Sequence, residues 1–131
     1  MKQLESLTKR SKETKLSKNS KLYKTVIKAI QDKKGENIVV LDLRKIPEAV
    51  ADFFIICEGT STPQIRAIAS EIEDKVKEEC GEGVFHKEGF QNLQWVLMDY
   101  VNIVTHIMMP EPRAFYSIEE MWSDASREEI K

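Results

Sequence analysis

The chain has 131 residues, of which 41% are hydrophobic and 32% are charged, and its formal net charge is −2. This length is typical of one domain, and the composition is typical of a folded domain rather than a largely disordered chain. The longest apolar run, residues 53–57, has the length of a strand and falls far short of the roughly 18–20 residues that a membrane span requires.

Charge divides the chain into two unequal parts. Residues 1–34 hold 11 Lys and Arg against 3 Asp and Glu, and residues 35–131 hold 9 against 19, so net charges of +8 and −10 add to −2. A basic segment can contact phosphate, whereas an acidic domain attracts basic proteins. We predict a basic flexible arm over residues 1–19, the domain over 20–125 and a polar tail over 126–131. An arm that serves only solubility is the alternative.

Neither a secretory signal nor a disulfide framework is expected. No apolar segment follows the first charged residues, and the two cysteines, Cys57 and Cys80, lie in dissimilar sequence contexts. We therefore expect a cytoplasmic protein.

The first half of the chain predicts two helices and two strands. Apolar residues at helical spacing follow Ser20, a capping residue, and this helix ends at Gly35. Residues 37–43 and 53–57 are apolar on both faces, which is typical of strands covered by helices. Because a parallel crossover needs a dozen residues or more, these strands are antiparallel neighbours or are joined by a short irregular segment. A long helix then begins near Thr62.

The second half predicts three strands and two short helical turns. Residues 84–87 form a short strand, and residues 95–100 and 103–109 form a β-hairpin. The helical turns lie at 111–116 and 118–122. The whole order predicts an α/β domain of the mixed α+β kind, with one five-stranded mixed sheet and helices packed on it.

A possible anion site lies at Gly59-Thr60-Ser61, just before the long helix. Such a turn after a strand also opens nucleotidyltransferase folds, whose enzymes hold two metal ions on paired carboxylates. That pair is missing, because Asp42 and Asp99 each stand alone. A well-capped helix start is the simpler interpretation.

The remaining candidates for chemistry are sparse. His86 and His106 have no histidine or cysteine neighbours at i+2 or i+4, and no nucleophile lies in a recognisable constellation. We therefore predict no catalytic residue, no metal and no cofactor. His106 lies in an apolar strand, which favours a buried or interface histidine.

Both faces of the predicted hairpin are apolar. Trp95, Leu97 and Asp99 share one face of its first strand, and Tyr100 lies on the other. Few helices are available to cover both faces, so we expect some of these side chains to be exposed or covered by another chain. Coverage by residues 110–122 is the alternative.

Two stretches of the sequence resemble the signatures of the ribosomal silencing factor family, also called the Iojap family. The first is Asp52-Phe53-Phe54-Ile55-Ile56-Cys57 with Gly59-Thr60-Ser61 and the helix start after it. The second is Trp95-Val96-Leu97-Met98-Asp99-Tyr100, then Val104-Thr105-His106-Ile107, then Trp122-Ser123-Asp124-Ala125. The resemblance spans about residues 22–125.

The resemblance implies a nucleotidyltransferase-like fold without catalytic carboxylates and a protein that is not an enzyme. It implies binding to protein number fourteen of the large ribosomal subunit, which blocks joining with the small subunit and represses translation. Free members are often homodimers. The family's partner-contacting residues fall here on Trp95, Leu97, Asp99, Tyr100, His106 and Arg113. The chain departs from the family at Val101-Asn102, where a Gly-Asp turn is usual.

Two other functions stay open from the sequence. A metal-dependent nucleotidyltransferase would use the Gly59 turn. An RNA-binding module would use the basic arm, which could also give a silencing factor a weak contact with rRNA phosphate.

Overall fold

The computed structural model describes residues 15–131, so most of the predicted basic arm, residues 1–14, lies outside the described residues. In the described part, helices and strands follow one another as α1 (Lys21–Asp32), β1 (Glu36–Asp42), β2 (Phe53–Glu58), α2 (Thr62–Cys80), β3 (His86–Glu88), β4 (Trp95–Asp99), β5 (Ile103–Met108), α3 (Pro110–Tyr116), α4 (Ile118–Met121) and β6 (Ser126–Ile130).

Short-range chemistry fixes the ends of the two long helices. The Ser20 hydroxyl accepts a hydrogen bond from the Tyr23 N–H at 3.2 Å and caps α1. The long helix α2 begins at Thr62 as predicted, and its capping residue is Ser61, whose hydroxyl accepts from the Gln64 N–H at 3.2 Å. Gly81 ends α2 with a φ of +68°, a conformation that glycine adopts without strain.

The strands form one mixed sheet in the order β3-β4-β5-β2-β1-β6. β2 and β5 are parallel, and every other neighbouring pair is antiparallel. The predicted hairpin is confirmed, with Trp95 opposite Met108 and Asp99 opposite Val104. β1 and β2 are antiparallel neighbours, as one of the two predicted arrangements requires.

The predicted number of five strands was wrong. Ser126–Ile130, which we had placed in a polar tail, forms a sixth strand that pairs with β1 from Ile38 opposite Ile130 to Asp42 opposite Ser126. Its side chains are largely exposed and charged. An edge strand is held mainly by backbone hydrogen bonds, and charged side chains are usual there, so it shows no apolar alternation in the sequence.

Both faces of the sheet are covered within the single chain. Helices α1 and α2 pack on one face, over residues such as Phe53, Ile55 and Met98. The other face is covered by the segment at 43–52 and by the C-terminal helices, over residues such as Phe54 and Leu97. Over residues 15–131, none of the helices combines the length and the apolar character needed to cross a membrane.

Candidate partner-binding surface

Five of the six predicted partner-contacting residues are buried. Leu97, Asp99, Tyr100, His106 and Arg113 are each at most 8% exposed in the single chain. Only Trp95 is half-buried and reaches the surface.

Of the hairpin side chains that we expected to be exposed or covered by another chain, Leu97 and Tyr100 are buried within the single chain, whereas Trp95 reaches the surface. Leu97 and Met108 pack with Leu43 and Ile118, so the segment at 43–52 and the C-terminal helices cover them together. Tyr100 belongs to the core of the opposite face, under α1 and α2, so the sheet separates its ring from Trp95.

Trp95 stands at the beginning of β4 between two other rings. Its indole Nε1–H donates to His106 Nδ1 at 3.1 Å, and the two ring centroids lie 6.0 Å apart. The centroid of the Tyr116 ring lies 5.0 Å from that of the indole. The indole is therefore held between a buried histidine and an exposed tyrosine.

The structure adds two aromatic residues that were not among the predicted partner-contacting residues. Phe115 and Tyr116, at the end of α3, are 79% and 51% exposed and contact each other edge to face at 5.0 Å. Together with Trp95 they form the aromatic patch. Beside it runs a groove of about 430 Å³, lined by Gly89, Asn92, Gln94, Trp95, Glu111, Pro112, Phe115 and Tyr116. Exposed aromatic side chains beside a groove are typical of a protein-binding surface.

Arg113 anchors the helix that carries Phe115 and Tyr116. Its guanidinium donates to the Asn37 carbonyl at 2.7 Å, to Glu58 at 3.1 Å and to Glu119 at 2.7 Å. These bonds tie α3 to the sheet and to α4. Burial raises the pKa of Glu119, but the hydrogen bond and the charge of Arg113 outweigh it and lower the pKa overall. Arg113 thus supports the aromatic patch from inside the protein.

Gly89 fixes the backbone beneath Trp95. Its φ is +92°, and a Cβ atom at this position would lie 2.0 Å from the Trp95 carbonyl oxygen. The Leu93 N–H donates to the Gly89 carbonyl at 3.0 Å and closes the loop before β4. Only a glycine allows this close approach.

The Val101-Asn102 turn closes the hairpin at the end far from Trp95. Val101 has a φ of +73°, and the Asn102 N–H donates to the Tyr100 carbonyl at 2.8 Å, which defines a tight three-residue turn. Asn102 Nδ2 also donates to the Asp52 carboxylate at 2.8 Å. The hairpin is therefore closed by a hydrogen-bonded turn despite the departure from Gly-Asp.

The Gly59 turn is filled by the protein's own side chains. The backbone N–H and the hydroxyl of Thr60 donate to Gln64 Oε1 at 2.8 and 3.1 Å. Gln64 Nε2 in turn donates to the Lys33 and Lys34 carbonyls. These contacts favour the interpretation of a capped helix start over that of an anion site.

Burial holds two of the candidate groups, the Cys57 thiol and the His106 ring, in their neutral forms. Burial raises the pKa of the Cys57 thiol to about 12, so it is protonated at neutral pH. Burial lowers the pKa of His106 to about 4, so its ring is neutral. Within residues 15–131, no three or more His, Cys, Asp or Glu side chains are grouped to hold a metal ion.

Comparison with known proteins gives consistent matches over most of the chain. The family model described as "Ribosomal silencing factor during starvation" matches residues 15–131. A ribosomal silencing factor of Halalkalibacterium halodurans is 38% identical over 113 residues, which cover 86% of this chain and 95% of that protein. One of Bacillus subtilis is 40% identical over 104 residues, which cover 79% of this chain and 86% of that protein.

A solved structure and a further relative agree with these matches. A crystal structure of a Chromobacterium violaceum protein has a TM-score of 0.73 and 34% identity, and the match covers 78% of this chain and 83% of that chain. A mouse protein named "Mitochondrial assembly of ribosomal large subunit protein 1" is 32% identical over 74 residues, which cover 55% of this chain and 32% of that protein. The resemblance seen in the sequence is confirmed, and the chain belongs to the ribosomal silencing factor family.

Proposed function

We propose that this protein binds protein number fourteen of the large ribosomal subunit and sterically blocks joining with the small subunit, which represses translation. The observation that carries the proposal is the aromatic patch of Trp95, Phe115 and Tyr116, exposed beside a groove on a member of a ribosome-silencing family. Tryptophan and tyrosine are the residues most often found at the energetic centre of protein interfaces.

The large subunit is the proposed partner for two reasons. The name of the mouse relative refers to assembly of the large ribosomal subunit. In addition, residues 35–131 carry a net charge of −10, and ribosomal proteins are generally basic. Opposite charge speeds the encounter, whereas apolar anchors such as Trp95 set the rate of dissociation.

The mechanism needs no bond to be made or broken. We propose a nucleotidyltransferase-like domain that acts as a cytoplasmic plug without catalysis, a free form that is a homodimer, and a basic arm that touches rRNA phosphate. The other predicted contacts, at Leu97, Asp99, Tyr100, His106 and Arg113, are buried in the single chain. Of these, we propose that His106 and Arg113 support the aromatic patch, His106 through its bond to Trp95 and Arg113 through its bonds to Asn37, Glu58 and Glu119.

Sedimentation with separated Bacillus subtilis subunits tests the proposal. The chain should travel with large subunits and not with small ones, and excess chain should slow subunit joining followed by light scattering. Trp95→Ala should weaken binding about 30-fold, which corresponds to about 2 kcal/mol for a hot-spot residue.

Phe85→Ala is the matched control. Phe85 is also an exposed aromatic residue, but its N–H donates to the Asp99 carbonyl, at the other end of β4 from Trp95. That distance is about 13 Å along the strand. Equal binding by wild type and Trp95→Ala, or subunits that join at their usual rate with excess chain present, would refute the proposal.

A further inference from the structure

A buried histidine holds the indole of the aromatic patch. His106 lies on β5 opposite Leu97, so it is a diagonal neighbour of Trp95 on the same face of the sheet. Its Nδ1 accepts the hydrogen bond from the Trp95 indole at 3.1 Å, although its own side chain is only 4% exposed. The single polar atom of a surface indole is therefore bonded to a residue that no partner can reach.

The geometry defines the state of the His106 ring. Because Nδ1 accepts a hydrogen bond, it carries no proton, and the neutral ring has its proton on Nε2. Burial keeps the ring neutral at physiological pH by lowering its pKa to about 4, against a weaker opposing effect of Glu119. The Phe54 ring, 4.8 Å away and edge-on, packs against it.

The second ring nitrogen of His106, Nε2, indicates why a histidine occupies this position. His106 Nε2 is buried and has no hydrogen-bond partner among the described residues. A buried donor without a partner lowers the stability of the fold, so an apolar ring would fill this site better if filling were its only task. What the histidine adds over an apolar ring is the acceptor at Nδ1.

We propose that His106 is a positioning residue, whose unprotonated Nδ1 holds Trp95 in the orientation that packs on Tyr116 and faces the partner. His106 acts on the partner through Trp95 and does not touch it. The inference rests on the proposed function of the aromatic patch. Holding a large side chain in its bound orientation before binding lowers the entropic cost of association.

Two substitutions of His106 separate its acceptor from its ring. His106→Phe keeps an aromatic ring and removes the acceptor, whereas the Oδ1 atom of His106→Asn takes the place of Nδ1. We expect His106→Phe to weaken binding to Bacillus subtilis large subunits about tenfold, the cost of immobilising one large side chain. Its melting temperature should be unchanged or higher. His106→Asn should be less stable and yet bind more tightly than His106→Phe.

A double-mutant cycle shows whether His106 acts through the indole. Trp95→Phe removes the donor, so adding His106→Phe to that variant should cause no further loss of binding. Thr105→Val, on the next residue of β5 and on the opposite face, is the control and should bind as wild type does.

Nitrogen-15 NMR gives a readout that needs no ribosome. The His106 shifts should show the proton on Nε2. The Trp95 indole N–H signal, assigned with Trp122→Phe, should move in His106→Phe and exchange faster with water.

Different failures overturn different statements. If the wild-type chain does not bind large subunits, both the proposed function and the inference that rests on it are refuted. If the wild type binds and Trp95→Phe is weakened while His106→Phe is not, the inference alone is overturned. An equal loss from His106→Phe with and without the Trp95 indole would also overturn it.

Discussion

Replacing Arg113 by methionine tests how the aromatic patch is held on the domain. The buried guanidinium bonds Glu58 and Glu119, whose side chains are only 16% and 13% exposed, and the Asn37 carbonyl. Arg113→Met keeps a long apolar side chain but leaves two nearly buried carboxylates without their cation. Breaking a buried ion pair on one side costs about 3–5 kcal/mol. Since domains are typically stable by about 5–15 kcal/mol, the variant should fold but unfold at much lower urea concentration.

The pH dependence gives the sharper test of this explanation. The pKa of Glu119 is lowered in the folded wild type, so its carboxylate stabilises the fold above the ordinary value of 4.5, and this contribution is lost as the pH falls through the lowered pKa. In Arg113→Met, burial without the cation raises that pKa, so the variant loses stability as the pH rises. The difference in unfolding free energy between the two proteins should therefore shrink between pH 7 and pH 4.

Urea titrations of both proteins across this pH range measure the effect. Arg113→Met combined with Glu119→Gln should recover part of the loss at pH 7, because one of the unpaired charges is gone. A loss below about 1 kcal/mol, the usual upper value for an exposed ion pair, or a difference that stays constant with pH, would refute the role assigned to Arg113.

Introducing a glycine at Val101 and replacing the glycine at Gly89 test the backbone on either side of β4. Val101→Gly should stabilise the fold by about 1 kcal/mol, because relief of a positive φ in a β-branched residue is worth about 1–3 kcal/mol and added chain entropy costs about 0.5–1 kcal/mol. Val101→Ala, which keeps most of the strain, should gain less in the same thermal melts, and an equal gain would contradict the explanation. Gly89→Ala should destabilise by about 3 kcal/mol and change the Trp95 fluorescence, because its Cβ would overlap the Trp95 carbonyl. Gly83→Ala, where nothing lies within 4 Å, should be near neutral, and similar melts for both alanine variants would show that the close approach is not required.

The aromatic patch depends on residues far apart in the sequence. Trp95 comes from the hairpin, Phe115 and Tyr116 come from α3, and Arg113 fastens that helix to the start of β1 and the end of β2. The proposed binding surface is thus supported by a buried ion-pair network on one side and a buried histidine on the other. Rigid aromatic anchors lose little conformational freedom on binding.

The sequence by itself determined the elements whose signals are local. Helical spacing after a capping serine defined α1, although the helix ends at Asp32, before the predicted stop at Gly35. Two apolar runs on either side of a short turn defined the hairpin. The two motif-bearing stretches were enough to identify the family, because motif order is also a property of the linear chain.

Tertiary structure alone decided which apolar side chains are exposed. Leu97 and Trp95 lie two residues apart on one face of β4, but Leu97 is buried whereas Trp95 is only half-buried. The charged residues of β6 predict a polar tail and not a strand. The structure forms a strand there because an edge strand is stabilised by backbone pairing, here with β1, and needs no apolar side chains. Burial and edge pairing depend on contacts between distant parts of the chain. A local pattern of apolar and polar residues does not determine which distant segment packs against it.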